Sequence, residues 1–461
     1  MKPRPELPLG PYLVVGLARS GVAAALALRA RGGRVIGVDD GAPPNTNALA
    51  DAGVELHLGG DGASLHPGGD GASLHPGGDV ASLLERVRTV VKSPGVPADA
   101  PVIAQARARE MCVIGELELA WRLLPNEFIA VTGTNGKTTT VELIGHIHRE
   151  AGLPVAVAGN VGAALSGLVG RVGESVTVVC EASSFQLEDT LAFAPEAAVL
   201  LNLTPDHLNR HGTIEAYLAA KLQMFARQSS EDVAVLPLGF EPERLGGAAR
   251  RVNFGEGPGA QLSERDGVLC WERRPLLRAG ELRLRGRHNL ENAMAAAAVC
   301  LARGLDPEMV RAGLRGFAGV PHRLEQVATR DGVLFVNDSK ATNVASTLVA
   351  LEAMAGEGLP VHLILGGQGK GQDFTALRGP VQGSCRAVYL IGEDAPVIAG
   401  VLEGANVPVR ECGELARAVA EAAGTAAMGE AVLLSPGCAS FDQFADFEAR
   451  GEHFRELVAR L

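Results

Sequence analysis

The stretch that decides the fold is Val131-Thr132-Gly133-Thr134-Asn135-Gly136-Lys137-Thr138-Thr139-Thr140. It follows an apolar run, residues 128–131, and precedes apolar residues at helical spacing from Val141 onward. Glycines let backbone N–H groups approach an anion closely, and the positive end of the following helix adds to the attraction. Lys137 is suited to neutralise a terminal phosphate, and Thr138 to offer a hydroxyl to Mg²⁺. The sequence therefore predicts a phosphate-binding loop, although Val131 stands where G-x-x-x-x-G-K-[ST] has its first glycine.

Length and composition limit the classes of protein to consider. A chain of 461 residues with 47% hydrophobic content is long enough for two to four domains, and we expect three. The net charge of -11 offers no overall attraction for nucleic acid or anionic lipid. No apolar run approaches the ~18 residues of a membrane span, so we expect a soluble, cytoplasmic protein without membrane insertion. Seven cysteines without a C-x-x-C pair argue against a zinc site and a disulfide framework.

The N-terminal block has the pattern of a βαβ nucleotide-binding unit. An apolar strand at residues 11–15 leads into a glycine turn, a helix at 22–30 and a second strand that ends before Asp39. Asp39 lies near the ~20-residue distance expected of a ribose-binding acid, but Ala18 replaces the middle glycine of the fingerprint. A Rossmann-like half without a nucleotide therefore stays open as an alternative.

A nine-residue repeat interrupts this block. Residues 59–67 recur at 68–76, and the repeated sequence is rich in glycine. Such a composition cannot bury a core, so we predict a flexible surface insertion without secondary structure. Metal binding by the evenly spaced His57, His66 and His75 is the less favoured alternative.

The central block places charged side chains after buried strands. The apolar strand at 176–181 ends at Glu181, where a carboxylate beside a phosphate loop can hold Mg²⁺. A helix-capping or solvated acid is the alternative interpretation. A strand at 197–201 is followed by a polar loop with His207 and a helix that carries Lys221.

The C-terminal block repeats the alternation of strands and helices. We predict strands at 333–336, 361–365, 387–391 and 431–434, separated by stretches of helical length. Polar, glycine-rich loops follow the strands, and loops at the carboxyl ends of parallel strands are expected to form a site.

Several of these motifs together resemble the Mur ligases of peptidoglycan synthesis, and the resemblance covers nearly the whole chain. The family motifs are Thr132 to Thr139, Gly159-Asn160-Val161-Gly162, Glu181-Ala182-Ser183-Ser184-Phe185-Gln186-Leu187 and His288-Asn289-Leu290-Glu291-Asn292. Residues 337–343 and 434–444 resemble the member of the family that adds D-glutamate. The nine-residue repeat is not part of the family pattern.

The resemblance implies an α/β fold of three domains. Residues 1–116 would be a Rossmann-like domain for the UDP-linked substrate, 117–319 a central P-loop ATPase-type domain, and 320–461 a Rossmann-like domain for the amino acid. It also implies ATP-dependent ligation of D-glutamate to UDP-N-acetylmuramoyl-L-alanine through an acyl phosphate, in the cytoplasm. We expect the enzyme to be a monomer.

The resemblance also implies the residues of the site. The catalytic residues would be Lys137, Asn160, His207 and Lys221. ATP would be bound by Gly133, Thr134, Asn135, Gly136, Lys137, Thr138, Thr139, Asn289, Asn292, Arg323, Asp338 and Lys340. The UDP-linked substrate would contact Leu17, Ala18, Arg19, Ser20, Asp39, Ser93 and Asn160, and D-glutamate would contact Thr342, Lys370, Ser440 and Phe447.

Two Mg²⁺ sites are implied, one at Thr138 and Glu181 and the other at His207 and Lys221. An ammonium group repels Mg²⁺, so the family solution for Lys221 is a carbamate derived from CO₂, which is an anionic oxygen ligand. A solvated helical lysine would be the ordinary interpretation without the resemblance.

Two other functions stay open. A folylpolyglutamate synthetase-like ligase shares the ATPase scaffold, although the complete βαβ first block and Ser339-Lys340-Ala341-Thr342-Asn343 weigh against it. A nucleotide-binding regulatory protein without chemistry is the second, although Glu181, His207 and Lys221 are all present.

Overall fold

The structure is a computed structural model that describes residues 2–41, 43, 46–59, 80–240, 245–284, 286–369 and 371–461. The chain divides into two compact units, residues 1–281 with 291–315 and residues 282–290 with 316–461. The predicted insertion lies almost wholly outside the described residues, as does Lys370. None of the helices in the described ranges is long and apolar enough to cross a membrane.

The first unit begins with a parallel five-stranded sheet in the order β3-β2-β1-β4-β5. Its strands are β1 (Tyr12–Val15), β2 (Val35–Asp39), β3 (Glu55–Leu58), β4 (Thr89–Lys92) and β5 (Cys112–Gly115). Its helices are α1 (Arg19–Ala30), α2 (Thr46–Asp51), α3 (Val80–Glu85) and α4 (Pro101–Ala108). The order reverses between β1 and β4, which is where doubly wound sheets bind their ligands.

The turn from β1 into α1 explains one glycine of the fingerprint. A Cβ atom on Gly21 would lie 1.8 Å from the carbonyl oxygen of Gly16, so no larger residue fits there. The helix can therefore pack closely against the end of the strand.

The second sheet of this unit has nine strands in the order β14-β13-β12-β11-β10-β9-β6-β8-β7. Its strands are β6 (Phe128–Thr132), β7 (Val155–Gly159), β8 (Thr177–Glu181), β9 (Ala197–Leu200), β10 (Val233–Pro237), β11 (Arg250–Gly255), β12 (Leu262–Arg265), β13 (Val268–Trp271) and β14 (Arg274–Arg278). The helices of this part of the chain are α5 (Glu116–Leu123), α6 (Lys137–Glu150), α7 (Ser184–Leu187), α8 (Leu208–His211), α9 (Ile214–Leu222), α10 (Arg287–Ala302) and α11 (Pro307–Gly316). The strands pair in parallel except for the antiparallel β12-β13-β14 meander.

The core of the nine-stranded sheet explains why β6 is apolar along its whole length. All five of its residues are buried, as expected for a parallel strand with both faces covered. Phe193 lies edge-on to both Trp121 and Phe128, with ring centroids 5.7 and 6.4 Å away. This packing fixes the strand from which the phosphate loop leaves.

The second unit contains a six-stranded sheet in the order β15-β16-β20-β17-β18-β19, parallel except for the antiparallel edge strand β15. Its strands are β15 (Glu325–Arg330), β16 (Val333–Asn337), β17 (Val361–Gly366), β18 (Cys385–Ile391), β19 (Val409–Gly413) and β20 (Ala431–Leu434). Its helices are α12 (Val344–Gly356), α13 (Arg378–Ser384), α14 (Ala395–Leu402), α15 (Leu415–Thr425) and α16 (Phe447–Arg460). The predicted α/β architecture is thus confirmed, whereas the domain boundaries after residues 116 and 319 stay predictions.

Candidate active site

The predicted phosphate loop connects β6 to α6. Gly133 and Gly136 have φ values of 158° and 83°, which favour glycine. A Cβ atom on Gly136 would lie 2.1 Å from Oδ1 of Asn292, so this asparagine lies directly against the loop. Asn289 is in the first turn of the same helix, α10, and Thr139 is buried in the first turn of α6.

A second asparagine shapes the loop from the neighbouring strand. Oδ1 of Asn202, which follows β9, accepts hydrogen bonds from the backbone N–H groups of Thr134 and Asn135 at 3.1 and 2.9 Å. Nζ of Lys137 donates to the carbonyl oxygens of Gly133 and Thr134 at 3.0 and 2.8 Å. The ammonium group therefore lies over the loop, where it can neutralise a bound phosphate.

Glu181 lies between two polar side chains at the carboxyl end of β8. Oγ1 of Thr138 donates to its Oε2 at 2.9 Å, and Nδ2 of Asn160 donates to its Oε1 at 2.9 Å. Among the described residues, no three His, Cys, Asp or Glu side chains form a group that could hold a metal ion. A hydroxyl and a carboxylate nonetheless fit Mg²⁺, which usually takes few protein ligands and completes its shell with water and phosphate oxygens.

Lys221 is buried on α9 with 1% exposure. Its Nζ donates to the carbonyl oxygen of Gly133 at 2.7 Å and lies 4.4 Å from the ring centroid of Tyr217. Burial, and then the charge of Lys137, lowers the pKa of Lys221 to about 7. A substantial fraction of its amine is therefore neutral near pH 7.

His207 stands in a strained backbone conformation before α8. Its φ of 52° is in the left-handed region, and its ring centroid lies 4.9 Å from that of Phe185 and 6.4 Å from that of Tyr217. Nε2 of His207 lies 3.4 Å from Oδ2 of Asp206. The side chains of His207 and Lys221 therefore both lie against the ring of Tyr217.

The first sheet assembles several of the residues predicted for the UDP-linked substrate. The carboxylate of Asp39 accepts hydrogen bonds from the N–H groups of Leu17 at 2.5 Å and Gly41 at 3.0 Å. Oγ of Ser93 donates to the carbonyl oxygen of Gly16 at 2.6 Å. Leu17, Asp39 and Ser93 therefore surround one turn at the point where the strand order reverses.

Arg19 connects that turn to the region of Glu181. Its Nη2 donates to the carbonyl oxygen of Asn160 at 3.0 Å, while the side chain of Asn160 contacts Glu181. Ala18 and Ser20 flank Arg19 at the start of α1. The first unit thus joins the predicted substrate-binding and metal-binding residues in one chain of contacts.

The second unit contains its own cluster of predicted residues. Asp338 is buried after β16, where its Oδ2 accepts from Oγ of Ser435 at 2.8 Å and its Oδ1 from the N–H group of Leu324 at 3.1 Å. Burial raises the pKa of Asp338 to about 7. The positive charge of Arg323 lowers this pKa, but by less than burial raises it.

The residues predicted for D-glutamate lie near this cluster. Nζ of Lys340 lies 5.8 Å from the ring centroid of Phe447, and the N–H group of Thr342 donates to the carbonyl oxygen of Lys340 at 2.9 Å. Ser440 is buried in the loop after β20. The outcome for Lys370 stays open because it is outside the described residues.

Comparison with known proteins supplies the family. Residues 131–300 match the profile of the Mur ligase middle domain, and residues 322–438 match that of the Mur ligase, glutamate ligase domain. The UDP-N-acetylmuramoylalanine--D-glutamate ligase of Acidobacterium capsulatum is 41% identical over 97% of this chain and 95% of its own. That of Anaeromyxobacter dehalogenans is 43% identical over 98% of both. The chain belongs to the Mur ligase family.

Solved Mur ligase structures have the same fold. The UDP-N-acetylmuramate-alanine ligase MurC of Thermotoga maritima superposes with a TM-score of 0.57 at 19% identity, over 98% of this chain and 100% of its own. The MurF ligase of Thermotoga maritima in complex with ADP gives 0.56 at 16% identity, over 93% and 96%. The family and the fold predicted from the motifs are therefore confirmed.

Three side chains of this Mur ligase site were missed by the sequence analysis. Asn202 follows the buried strand β9 after one intervening residue, and that position was the signal that could have identified it. Nε2 of His211 lies 3.0 Å from Oγ of Ser184, and burial lowers the pKa of this histidine. The hydroxyl of Tyr217 lies 3.3 Å from Oγ1 of Thr134. His211 and Tyr217 lie on helices, and no motif or spacing in the sequence distinguishes them from other helical residues.

Proposed function

We propose that the chain is an ATP-dependent ligase that joins D-glutamate to UDP-N-acetylmuramoyl-L-alanine through an acyl phosphate. The observation that carries this proposal is the contact of Glu181 with both Thr138 and Asn160, beside a loop that holds Lys137. The names of the two relatives described above support the choice of both substrates.

The proposed chemistry depends on alignment and charge neutralisation. A carboxylate oxygen of the muramoyl substrate attacks the γ-phosphorus of ATP and releases ADP, and the amine of D-glutamate then attacks the acyl carbon and releases phosphate. Lys137 and the N–H groups of its loop bind the phosphates, while Asn160 orients the reacting carboxylate. Thr138 and Glu181 would hold Mg²⁺, which would neutralise charge on the transferred phosphoryl group.

Lys221 is proposed to act as a carbamate, with His207, at a second Mg²⁺ site. Its neutral amine can add CO₂, which forms an N–C bond, releases a proton and leaves an anionic oxygen ligand. The burial of Lys221 supports this step because the neutral form is accessible near pH 7. A lysine pKa near its ordinary value would keep nearly all of the amine protonated.

The remaining assignments extend the proposal to the other ligands. The turn around Leu17, Asp39 and Ser93 would bind the UDP moiety, and Asn289, Asn292, Arg323, Asp338 and Lys340 would bind ATP. Thr342, Lys370, Ser440 and Phe447 would bind D-glutamate, whose two carboxylates suit a cation and hydrogen-bond donors. A reaction that uses ATP and a UDP-linked precursor also supports a cytoplasmic location.

A phosphate-release assay with the purified full-length chain tests the proposed reaction. With ATP, Mg²⁺ and UDP-N-acetylmuramoyl-L-alanine present, we expect release to depend on D-glutamate and to be negligible with L-lysine. Equal turnover of the two amino acids would exclude the assignment. Activity with a folate and L-glutamate instead would favour the folylpolyglutamate synthetase-like alternative, and no turnover at all would favour the regulatory one.

The carbamate has a separate test in chemical rescue. Lys221→Ala should lose activity, and a short-chain carboxylic acid that occupies the vacated position should restore part of it. Full activity of the alanine variant without added acid would remove Lys221 from the metal site. Arg227→Ala is the control, since Arg227 is exposed and bonds only to Gln223 among the described residues.

A further inference from the structure

Arg450 is a buried guanidinium that no part of the proposed chemistry uses. It is on α16 with 1% exposure. Its Nη2 donates to the carbonyl oxygens of Ser339 and Cys438 at 2.9 and 3.1 Å, and its Nη1 donates to that of Ala439 at 3.4 Å. Its Nε donates to Oγ of Ser339 at 3.0 Å. One side chain therefore binds two separate loops.

The partners of Arg450 are all uncharged. No carboxylate of the described residues forms an ion pair with it, and Asp442 acts only through its charge at a distance. Burial lowers the pKa of Arg450 to about 10, so the group stays charged near pH 7. Burying a charge among neutral partners is costly, and an apolar side chain of similar volume is often as stable or more so. We therefore expect the role of Arg450 to be the positioning of the two loops, because its planar, rigid set of N–H donors can hold several acceptors in fixed places.

The two loops are those that carry predicted substrate contacts. Ser339 lies between Asp338 and Lys340 after β16, and Ala439 directly precedes Ser440 after β20. Oγ of Ser339 in turn donates to the carbonyl oxygen of Phe447 at 2.8 Å. The hydrogen bonds of Arg450 thus connect the segments of Lys340, Ser440 and Phe447.

The loop after β17 joins the same arrangement. The backbone N–H and carbonyl groups of Gln368 exchange hydrogen bonds with Ala439 at 2.9 and 3.0 Å. A Cβ atom on Gly367 would lie 2.4 Å from the carbonyl oxygen of Ala439 and 3.3 Å from Nη1 of Arg450. Since β16, β20 and β17 are adjacent and parallel, all three loops leave the same edge of the sheet.

We propose that Arg450 is a positioning residue for the amino-acid substrate, because its hydrogen bonds fix the loop of Ser339, which leads to Thr342, and the loop of Ala439, which precedes Ser440. The proposal rests on the proposed function for the identity of the substrate. It assigns no contact between Arg450 and D-glutamate. Its consequence is that losing Arg450 affects the use of D-glutamate more than the use of ATP, since the predicted ATP contacts beside Ser339 have separate hydrogen bonds. Asp338 accepts from Leu324 and Ser435, and the N–H group of Lys340 donates to the carbonyl oxygen of His322 at 2.9 Å.

The test compares Arg450→Met, which removes the charge and the donors, with Arg450→Lys, which keeps the charge alone. In the phosphate-release assay, Arg450→Met should raise the KM for D-glutamate by about 10- to 100-fold, as misplacement of contacts by about 1 Å can do. The KM for ATP and for the UDP-linked substrate should change less than about twofold, and Arg450→Lys should fall between the wild type and Arg450→Met. If Arg450→Met does not fold, the Arg450→Lys comparison decides the question.

Val458→Ala is the matched control for a general loss of stability. Val458 is buried on the same helix and packs in an apolar cluster with Phe335 and Phe454, away from the loops. It should lower Tm and leave the KM for D-glutamate unchanged. An equal rise of that KM in Val458→Ala, or equal rises for all three substrates in Arg450→Met, would overturn the positioning role.

Backbone hydrogen exchange separates this proposal from the proposed function. Arg450→Met should speed exchange at the amides of 339–341 and 438–441, while the amides of β17 and β20 stay protected. Unchanged exchange at the loops would overturn the proposal. A wild-type enzyme that ignores D-glutamate would instead overturn the proposed function, and faster loop exchange in the variant would still support the structural role of Arg450.

Discussion

Oγ1 of Thr138 donates a 2.9 Å hydrogen bond to Oε2 of Glu181, although 43 residues separate them in the chain. The contact depends on sheet topology, because β6 and β8 are adjacent and parallel. Thr138 lies shortly after β6 and Glu181 is the last residue of β8, so both are at the same edge of the sheet. Both side chains are buried beside the phosphate loop, and a hydroxyl and a carboxylate are oxygen ligands of the kind that Mg²⁺ prefers. This is the most direct structural reason to expect a metal ion there.

Glu181→Gln should weaken Mg²⁺ binding, because the amide keeps the size of the side chain but loses the charge. We expect activity at fixed Mg²⁺ to fall by at least about 10- to 100-fold, with partial recovery at high Mg²⁺. A Mg²⁺ titration of phosphate release measures this. Glu142→Gln is the control. Glu142 is on α6, but its Oε2 lies 3.8 Å from Nη2 of Arg149 in a solvent-exposed ion pair. An unchanged Mg²⁺ dependence in Glu181→Gln would remove Glu181 from the metal site.

Lys221 should make stability depend on pH. Its pKa is about 7 in the folded protein and near 10.5 when unfolded, so between these values the unfolded chain binds more protons. Stability should therefore rise with pH through this window, and the full cost of burying the ammonium is present below it. Lys221→Met removes that cost. In CO₂-free buffer, its gain in Tm over the wild type should be larger at about pH 6 than at about pH 9. Equal gains at both pH values would contradict the lowered pKa.

The elements that the sequence predicted are those whose patterns are strong. The four strands predicted in the C-terminal block correspond to β16, β17, β18 and β20, and β6 was predicted from its apolar run. These strands are buried along most of their length, which produces continuous apolar sequences.

The missed elements have weaker patterns for physical reasons. The edge strand β15 and the meander strand β14 are largely exposed, so polar residues interrupt them. The role of Asp39 was predicted from the spacing of a nucleotide-binding fingerprint. The roles of Tyr217 and Arg450 depend instead on contacts between segments that are distant in the sequence. No local pattern marks such contacts, because ordinary core packing and exposed helix surfaces use the same residue types.

The buried pair of Lys92 and Asp189 gives a stability prediction. Nζ of Lys92 lies 2.7 Å from Oδ2 of Asp189, both side chains are almost fully buried, and burial raises the pKa of Asp189 despite the lysine. Lys92→Met should cost about 3 to 5 kcal/mol, because it leaves a buried carboxylate with only the partly exposed Arg107 as a cation. Lys92→Met with Asp189→Leu should regain part of the loss.

Denaturant unfolding of the single and double variants measures this coupling. Lys92 also donates to the carbonyl oxygen of Val96 at 2.8 Å, so the single variant should raise the KM for the UDP-linked substrate through the Ser93 loop. Strictly additive losses in the double variant would show that the two side chains do not stabilise each other.

We expect Arg210 to fix the position of the His207 side chain in the site. The carbon Cζ of Arg210 lies 4.4 Å from the ring centroid of Phe185, which also packs against His207 at 4.9 Å. Its Nη2 donates to the carbonyl oxygen of Val96 at 3.2 Å and contacts Glu188. Arg210→Lys keeps the charge but loses the planar stack and the fork of donors, so we expect a lower kcat through a misplaced His207.

A double-mutant cycle separates this role from a general loss of packing. If Arg210 acts through His207, Arg210→Lys should lower kcat in the wild type and have little further effect in His207→Ala. Arg227→Lys, in an exposed part of the chain, should leave kcat unchanged in both backgrounds. Equal effects of Arg210→Lys in the presence and absence of His207 would mean that Arg210 acts through its contacts with Val96 and Glu188 rather than through the histidine, because these two contacts do not involve Phe185.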